Sequence, residues 1–282
     1  MTLVLDFRTA GVAGHVKDPE LFDVDPLADP LSYRSVPRWE WDNLVHGRNV
    51  LFGTHGFNVD REAGVRSLAG FGARLGLGAG DLYIAVVWPG DWWLPAINYP
   101  FEGETAMDCG RRLAAWCGNR VGDASSISFV SHSLGARLIL EAIGAMRKPV
   151  KPSVRLVCLM AGAINNDCLE REYVSTAVSA DTIKVLASRA DLVLQLAYPA
   201  GDWVANALHP DHPQSSAALG RTGPVRPIAG KLSQPWQVTD PGFGHGSYLP
   251  HDAAAPAPGV AWLKAAAFVE RAWNRQSETW PV

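Results

Sequence analysis

Ser131-His132-Ser133-Leu134-Gly135 is the stretch of this chain whose residue types and spacing best fit covalent chemistry. It follows the apolar run Ile127, Phe129 and Val130 and precedes Ala136-Arg137-Leu138-Ile139-Leu140-Glu141-Ala142-Ile143, whose apolar residues repeat at helical spacing. A strand, a small residue, x-Ser-x-Gly and a helix form the context of a nucleophile elbow, a tight turn that lifts a serine hydroxyl above a sheet. The positions two before and two after the serine must be small to clear the neighbouring strand and helix. Here they are Ser131 and Gly135, with serine where glycine is usual. A serine hydroxyl needs a base and the base needs an orienting acid. Asp191 directly follows an expected strand over 182–188, and His245 lies between Gly244 and Gly246 after a short strand expected at 236–238. Ser, Asp and His in that chain order at the carboxyl ends of strands can carry acyl transfer.

The elements that must position these residues read as alternating strands and helices. Strands are expected over 3–7, at an edge, and over 48–54, 81–88, 126–130, 153–160 and 182–188. Helices are expected over 60–75, 104–121, 136–143, 172–179 and 259–275. The alternation implies βαβ units and a mainly parallel sheet with helices on both faces. No internal repeat and no domain break interrupts it, so one domain over 1–282 is expected, with an irregular extension over 1–47. Candidate cap loops are 89–103 and 199–230.

The strand over 48–54 runs into His55-Gly56-Phe57-Asn58. Backbone N–H groups there and after the serine are the expected oxyanion donors, those of Phe57 and Leu134. His55 is expected to hold the loop as a buried, hydrogen-bonded histidine. The segment 88–101 follows a strand taken to neighbour the elbow strand, and Trp88, Trp92, Trp93 and Tyr99 are expected to wall an apolar pocket or plug the core, with His55 and His132 beside them. Trp203 is a further residue that could reach the pocket.

Val50 to Asn58 with its His-Gly-Phe-Asn, Val87-Trp88-Pro89, and Ser131 to Gly135 together resemble the α/β-hydrolase superfamily. They are most similar to its bacterial DUF900 branch, whose members carry "HGFN" or "HGYN", then "WP", then "HSMG" or "HSLG". Ala187 to Leu194 and Gly244 to Leu249 fit as well, so the resemblance spans about residues 48–250. It implies the α/β-hydrolase fold and a serine hydrolase with its acid and histidine at Asp191 and His245, and it implies no particular substrate.

Other acids and histidines compete. Asp202 is the alternative acid, and Asp167 is a third, after the preceding expected strand; Asp181 precedes its strand and stands at the wrong end of the sheet. His209, Asp211 and His212 have types that zinc uses, but nothing completes their shell, and no metal or cofactor is expected. Asp18, Glu20, Asp23, Asp25 and Asp29 lack the spacing of an EF-hand loop and read as a solvated stretch. His251 reads as surface.

Composition narrows the classes. The 282 residues are 48% hydrophobic and 19% charged with a formal net charge of -3, which speaks against nucleic acid as a partner. The four cysteines form no C-x-x-C pair, against a redox motif or metal cluster. No apolar run reaches the roughly 18 residues of a membrane helix, and the N-terminus lacks a secretory pattern. A cytoplasmic protein is the default reading. The function expected is hydrolysis of a small carboxylic ester with an apolar group. The alternatives are acyl transfer to an alcohol on the same residues, and a binding module that has kept the fold without turnover.

Overall fold

The computed structural model describes residues 2–8, 16–90, 99–196, 217–226, 237–276 and 280. Eight strands make one sheet: β1 Thr2–Arg8, β2 Val16–Asp25, β3 Ser32–Ser35, β4 Asn49–Thr54, β5 Asp81–Val87, β6 Ser126–His132, β7 Val154–Met160 and β8 Ala180–Leu186. Their order across the sheet is β3-β2-β1-β5-β4-β6-β7-β8. Six strands, β1, β5, β4, β6, β7 and β8, pair in parallel, and β2 runs against both of its neighbours. The six central residues of β4 and β6 run in unbroken register from Asn49↔Ser126 to Thr54↔Ser131. That register brings the loops after both strands to one edge of the sheet.

Strands buried on both faces must be apolar throughout. Ile84, Ala85, Val86 and Val87 of β5 and Val50, Leu51 and Phe52 of β4 are all fully buried. Helices cover both faces. Phe52 packs edge-on against Trp116 of α3 (Tyr99–Arg120). Tyr83, on the opposite face, lies against Gly72 at the end of α2 (Arg61–Gly72). α1 (Arg38–Val45) packs its Trp41 against Trp116, and α4 (Gly135–Ala145) lies beside α3. Further helices are α5 (Val174–Ser179), α6 (Leu219–Thr222) and α7 (Trp262–Trp273).

Four expectations change. The first strand is not at an edge: β1 pairs with β2 on one side and β5 on the other. Residues 16–45 are not irregular, because two strands and a helix occupy them. Pro19 escaped the strand pattern, and it sits where the β1–β2 register shifts between Asp6 and Arg8, a place where a missing N–H costs no ladder bond. Third, the strand leading to Trp88 does not neighbour the elbow strand, because β4 lies between β5 and β6. The strand expected at 236–238 is a single parallel bridge, Ala187↔Gln237.

Candidate active site

The elbow is built at the end of β6. Ser133 has φ of +54°, a left-handed conformation that a side chain rarely adopts. The surrounding hydrogen bonds hold it there. Its N–H donates to Met160 O at 3.0 Å, and its carbonyl accepts from Ala136 at 3.1 Å and Ala163 at 3.1 Å. Strain of this kind persists only where neighbours over-determine it, and it clusters at functional sites. Small residues make the turn possible. A Cβ on Gly135 would stand 2.6 Å from His55 O, so the start of α4 can approach the β4 loop only as glycine. Ser131 is fully buried, and its Oγ has no hydrogen-bond partner among the described residues.

Ser133 Oγ lies 2.9 Å from His245 Nε2, and His245 Nδ1 lies 2.7 Å from Asp191 Oδ2. Asp191 is fully buried, Ser133 is buried, and the His245 side chain is 17% exposed. The second carboxylate oxygen of Asp191, Oδ1, accepts from Leu194 N at 2.9 Å, and its own N–H donates to Ser188 O. The acid is therefore fixed at both oxygens beyond β8. His245 opens a single 3-10 turn, His245–Ser247. That turn is closed by Ser247 N to Gly244 O at 3.0 Å and by Gly244 N to Ser247 Oγ at 3.1 Å.

The β4 loop supplies the other half. A Cβ on Gly56 would stand 2.6 Å from Ser133 Cβ and 3.3 Å from Ser133 Oγ. Only glycine allows that approach, and it carries the Phe57 backbone up to the serine. Among the described residues, neither the Phe57 N–H nor the Leu134 N–H has an acceptor. Leu134 is the N-terminal cap residue of α4, where the helix dipole favours negative charge. The loop is braced from below. His55 is buried and stacks on Trp88 with centroids 5.7 Å apart and 10° between the planes. His55 Nδ1 meets Gly56 O at 2.8 Å, Trp88 N donates to His55 Nε2 at 3.2 Å, and Trp88 Nε1 donates to His55 O at 3.0 Å. An acceptor role for Nε2 leaves the proton on Nδ1. Burial pushes the His55 pKa down to about 4, which keeps the ring neutral. Arg8 adds a clamp, donating from Nε to Trp88 O and from Nη2 to Val59 O, both at 3.1 Å. Asn58 N closes the loop onto Gly90 O at 2.5 Å.

The expected pocket residues separate. His55 and Trp88 are both buried at 1% exposure or less and brace the loop from beneath. His132 turns toward the His245 backbone, with Nε2 2.8 Å from its carbonyl oxygen. Trp92, Trp93, Trp203 and the side chain of Tyr99 lie outside the described residues, as do Asp202, His209, Asp211 and His212. Asp167 ion-pairs with Arg171 at 3.2 Å. Among the described residues, no group of three His, Cys, Asp or Glu side chains converges as metal ligands, and no helix is long and apolar enough to cross a membrane. The reading from sequence missed Arg8, whose position on β1 carries no motif, and Gly56 as a steric requirement.

No curated protein matches the chain. Solved structures with partial likeness include a lipase-esterase related protein from Clostridium acetobutylicum, 19% identical over 47% of this chain and 49% of that one, TM-score 0.26. The chain thus spans about half the length of that protein. A thermophilic esterase from Thermogutta terrifontis with propionate bound is 13% identical over 82% of this chain and 85% of that one, TM-score 0.38. An esterase from Pyrococcus furiosus is 11% identical over 69% and 75%, TM-score 0.31. The description "alpha/beta hydrolase of unknown function (DUF900)" belongs to the family that matches residues 42–223. That span holds Ser133 and Asp191, and His245 lies beyond it. With more than half its length matched, strands β4 to β8 and the turn at Ser133 included, the chain belongs to the DUF900 family of α/β hydrolases.

Proposed function

We propose that the chain is a serine hydrolase that cleaves a small carboxylic ester through an acyl-enzyme on Ser133. The observation that carries the reading is the unbroken hydrogen-bond chain Ser133 Oγ to His245 Nε2 to Asp191 at 2.9 and 2.7 Å. His245 Nε2 takes the hydroxyl proton as Oγ bonds to the ester carbonyl carbon. The carbonyl oxygen becomes an oxyanion and accepts from the Phe57 and Leu134 N–H groups, which are oriented before the reaction begins. Collapse breaks the bond to the alkoxy group, which leaves with the proton from Nε2. Water then attacks the acyl carbon, gives its proton to Nε2, and the carboxylic acid departs as Ser133 recovers its hydrogen. Asp191 keeps the proton of the resting imidazole on Nδ1 and offsets the charge of the imidazolium. No cofactor enters any step.

Intact-mass analysis after fluorophosphonate treatment, wild type beside Ser133→Ala, tests the proposal. One adduct on wild type and none on the variant supports an activated Ser133, and short and medium p-nitrophenyl esters then define the acyl length. A folded wild type that takes no adduct and turns over no ester would sink the proposal in favour of a binding module.

A further inference from the structure

His245 takes little support from its immediate neighbours in sequence. It opens a one-turn helix, and glycine stands on either side of it. Among the described residues, nothing lies within 4 Å of where a Cβ would stand on Gly244 or Gly246. The turn's internal hydrogen bonds shape it without fixing where it sits over Ser133. His132 supplies a tie from outside the turn. Its Nε2 lies 2.8 Å from His245 O, and the two rings are 4.8 Å apart at 47°. A carbonyl oxygen only accepts, so Nε2 carries the hydrogen.

His132 is itself rigidly placed. It is the last residue of β6, paired with Met160 of β7, and its ring leans on the buried Tyr248 with centroids 5.9 Å apart. Tyr248 in turn takes Phe243 edge-on at 4.7 Å. Besides the Asp191 contact at Nδ1, His245 is therefore tied to consecutive residues of one strand end, its imidazole to Ser133 Oγ and its backbone to His132 Nε2.

We propose that His132 is a positioning residue for His245, and that its Nε2–H bond to the His245 carbonyl sets the distance between the base and Ser133. The inference rests on the serine-hydrolase reading above. Its reason is geometric, because proton transfer in such a chain tolerates little displacement, and a shift of about 1 Å can cost about 100-fold. The ring that makes the tie is neutral. Burial, first, and the neighbouring His245 push the His132 pKa down to about 3. His132 therefore remains an uncharged donor while His245 gains its proton, and no second positive charge opposes that step.

Three variants test the tie. His132→Phe keeps the ring packing and removes the donor. His132→Gln places an amide nitrogen the same number of bonds from Cβ as Nε2, and His132→Asn places it one bond short. Phe and Asn should lower kcat and the rate of fluorophosphonate labelling by about 10–100-fold with KM moving less than about 3-fold, while Gln restores both rates to within about 3-fold of wild type. The downfield proton resonance of His245 Nδ1–H should broaden in Phe and Asn and return in Gln. If Phe fails to fold, the Asn and Gln pair makes the same comparison. Equal rates in wild type, Asn and Gln, or Asn and Gln equally impaired in folded protein, would overturn the inference. The serine-hydrolase reading fails separately, if Ser133→Ala still labels and turns over ester.

Discussion

The two halves of the site are held by different means. The serine half stands on the sheet interior. β4 and β6 pair in register up to Thr54↔Ser131, and the two loops that follow touch so closely that Gly56 and Gly135 admit no side chain. The acid and histidine half stands on connections beyond β8. Asp191 is five residues past the end of that strand at Leu186, and His245 opens one glycine-flanked turn. Close packing fixes the first half and a few hydrogen bonds fix the second. Close packing is intolerant of added atoms, whereas hydrogen bonds tolerate volume and fail when a donor or acceptor is lost. Damage to the two halves should therefore follow different rules.

The largest effect tests whether the halves act as one unit. Ser133→Ala and His245→Ala should each lower kcat by on the order of 10⁴ or more, and the double variant should lose little beyond either single one. Additive losses, measured with one chromogenic ester, would mean that the two residues work independently. Asp191→Asn comes next, with a loss on the order of 10³ to 10⁴ and little change in KM, because an amide at this position favours the wrong imidazole tautomer. Asp202→Asn should be mild beside it. The reverse ranking would transfer the acid role to Asp202.

Glycine substitutions sharpen the contrast between packing and hydrogen bonding. A methyl on Gly56 meets Ser133 Cβ at 2.6 Å, and one on Gly246 meets nothing within 4 Å. Gly56→Ala should cost about 1–3 kcal/mol in urea unfolding and about 100-fold in kcat. Gly246→Ala should leave stability within about 0.5 kcal/mol. Similar costs at both positions would erase the distinction drawn between the halves.

The same asymmetry governed what could be read from the chain. The serine half was legible because its chemistry sits in contiguous motifs. His55 to Asn58 and Ser131 to Gly135 each combine a strand end, a tight turn and a helix start, and these are local. Asp191 and His245 were legible only through chain order, and the sequence offers nothing that orients them. The tie from His132 to His245 joins residues 113 apart in sequence, so no local pattern announces it. The Trp88 segment was misplaced for a related reason: strand order in a parallel sheet is set by crossovers, and chain order alone put β5 beside β6. The N-terminal strands were hidden by their setting. β2 keeps only Leu21 and Val24 buried and carries four acidic residues, so its alternation is weak.

A last predicted effect is on stability and falls on the serine half. His55 and His132 are both neutral in the folded protein, held at pKa values of about 4 and about 3 against an ordinary 6.5, chiefly by burial. The sign follows from proton counting. Above about pH 6.5 both rings are neutral folded or unfolded, and the contribution is fully present. As the pH falls below that value the unfolded chain takes up protons that the folded chain refuses, so stability is lost until the folded pKa is reached. Each ring should remove about 2 kcal/mol between pH 7 and pH 5, about 4 kcal/mol together. Urea unfolding across that range measures the sum, and His55→Gln should cut the fall to about half, whatever it does to stability at neutral pH. An unchanged slope in that variant would place the acid sensitivity outside the His55 and Trp88 brace.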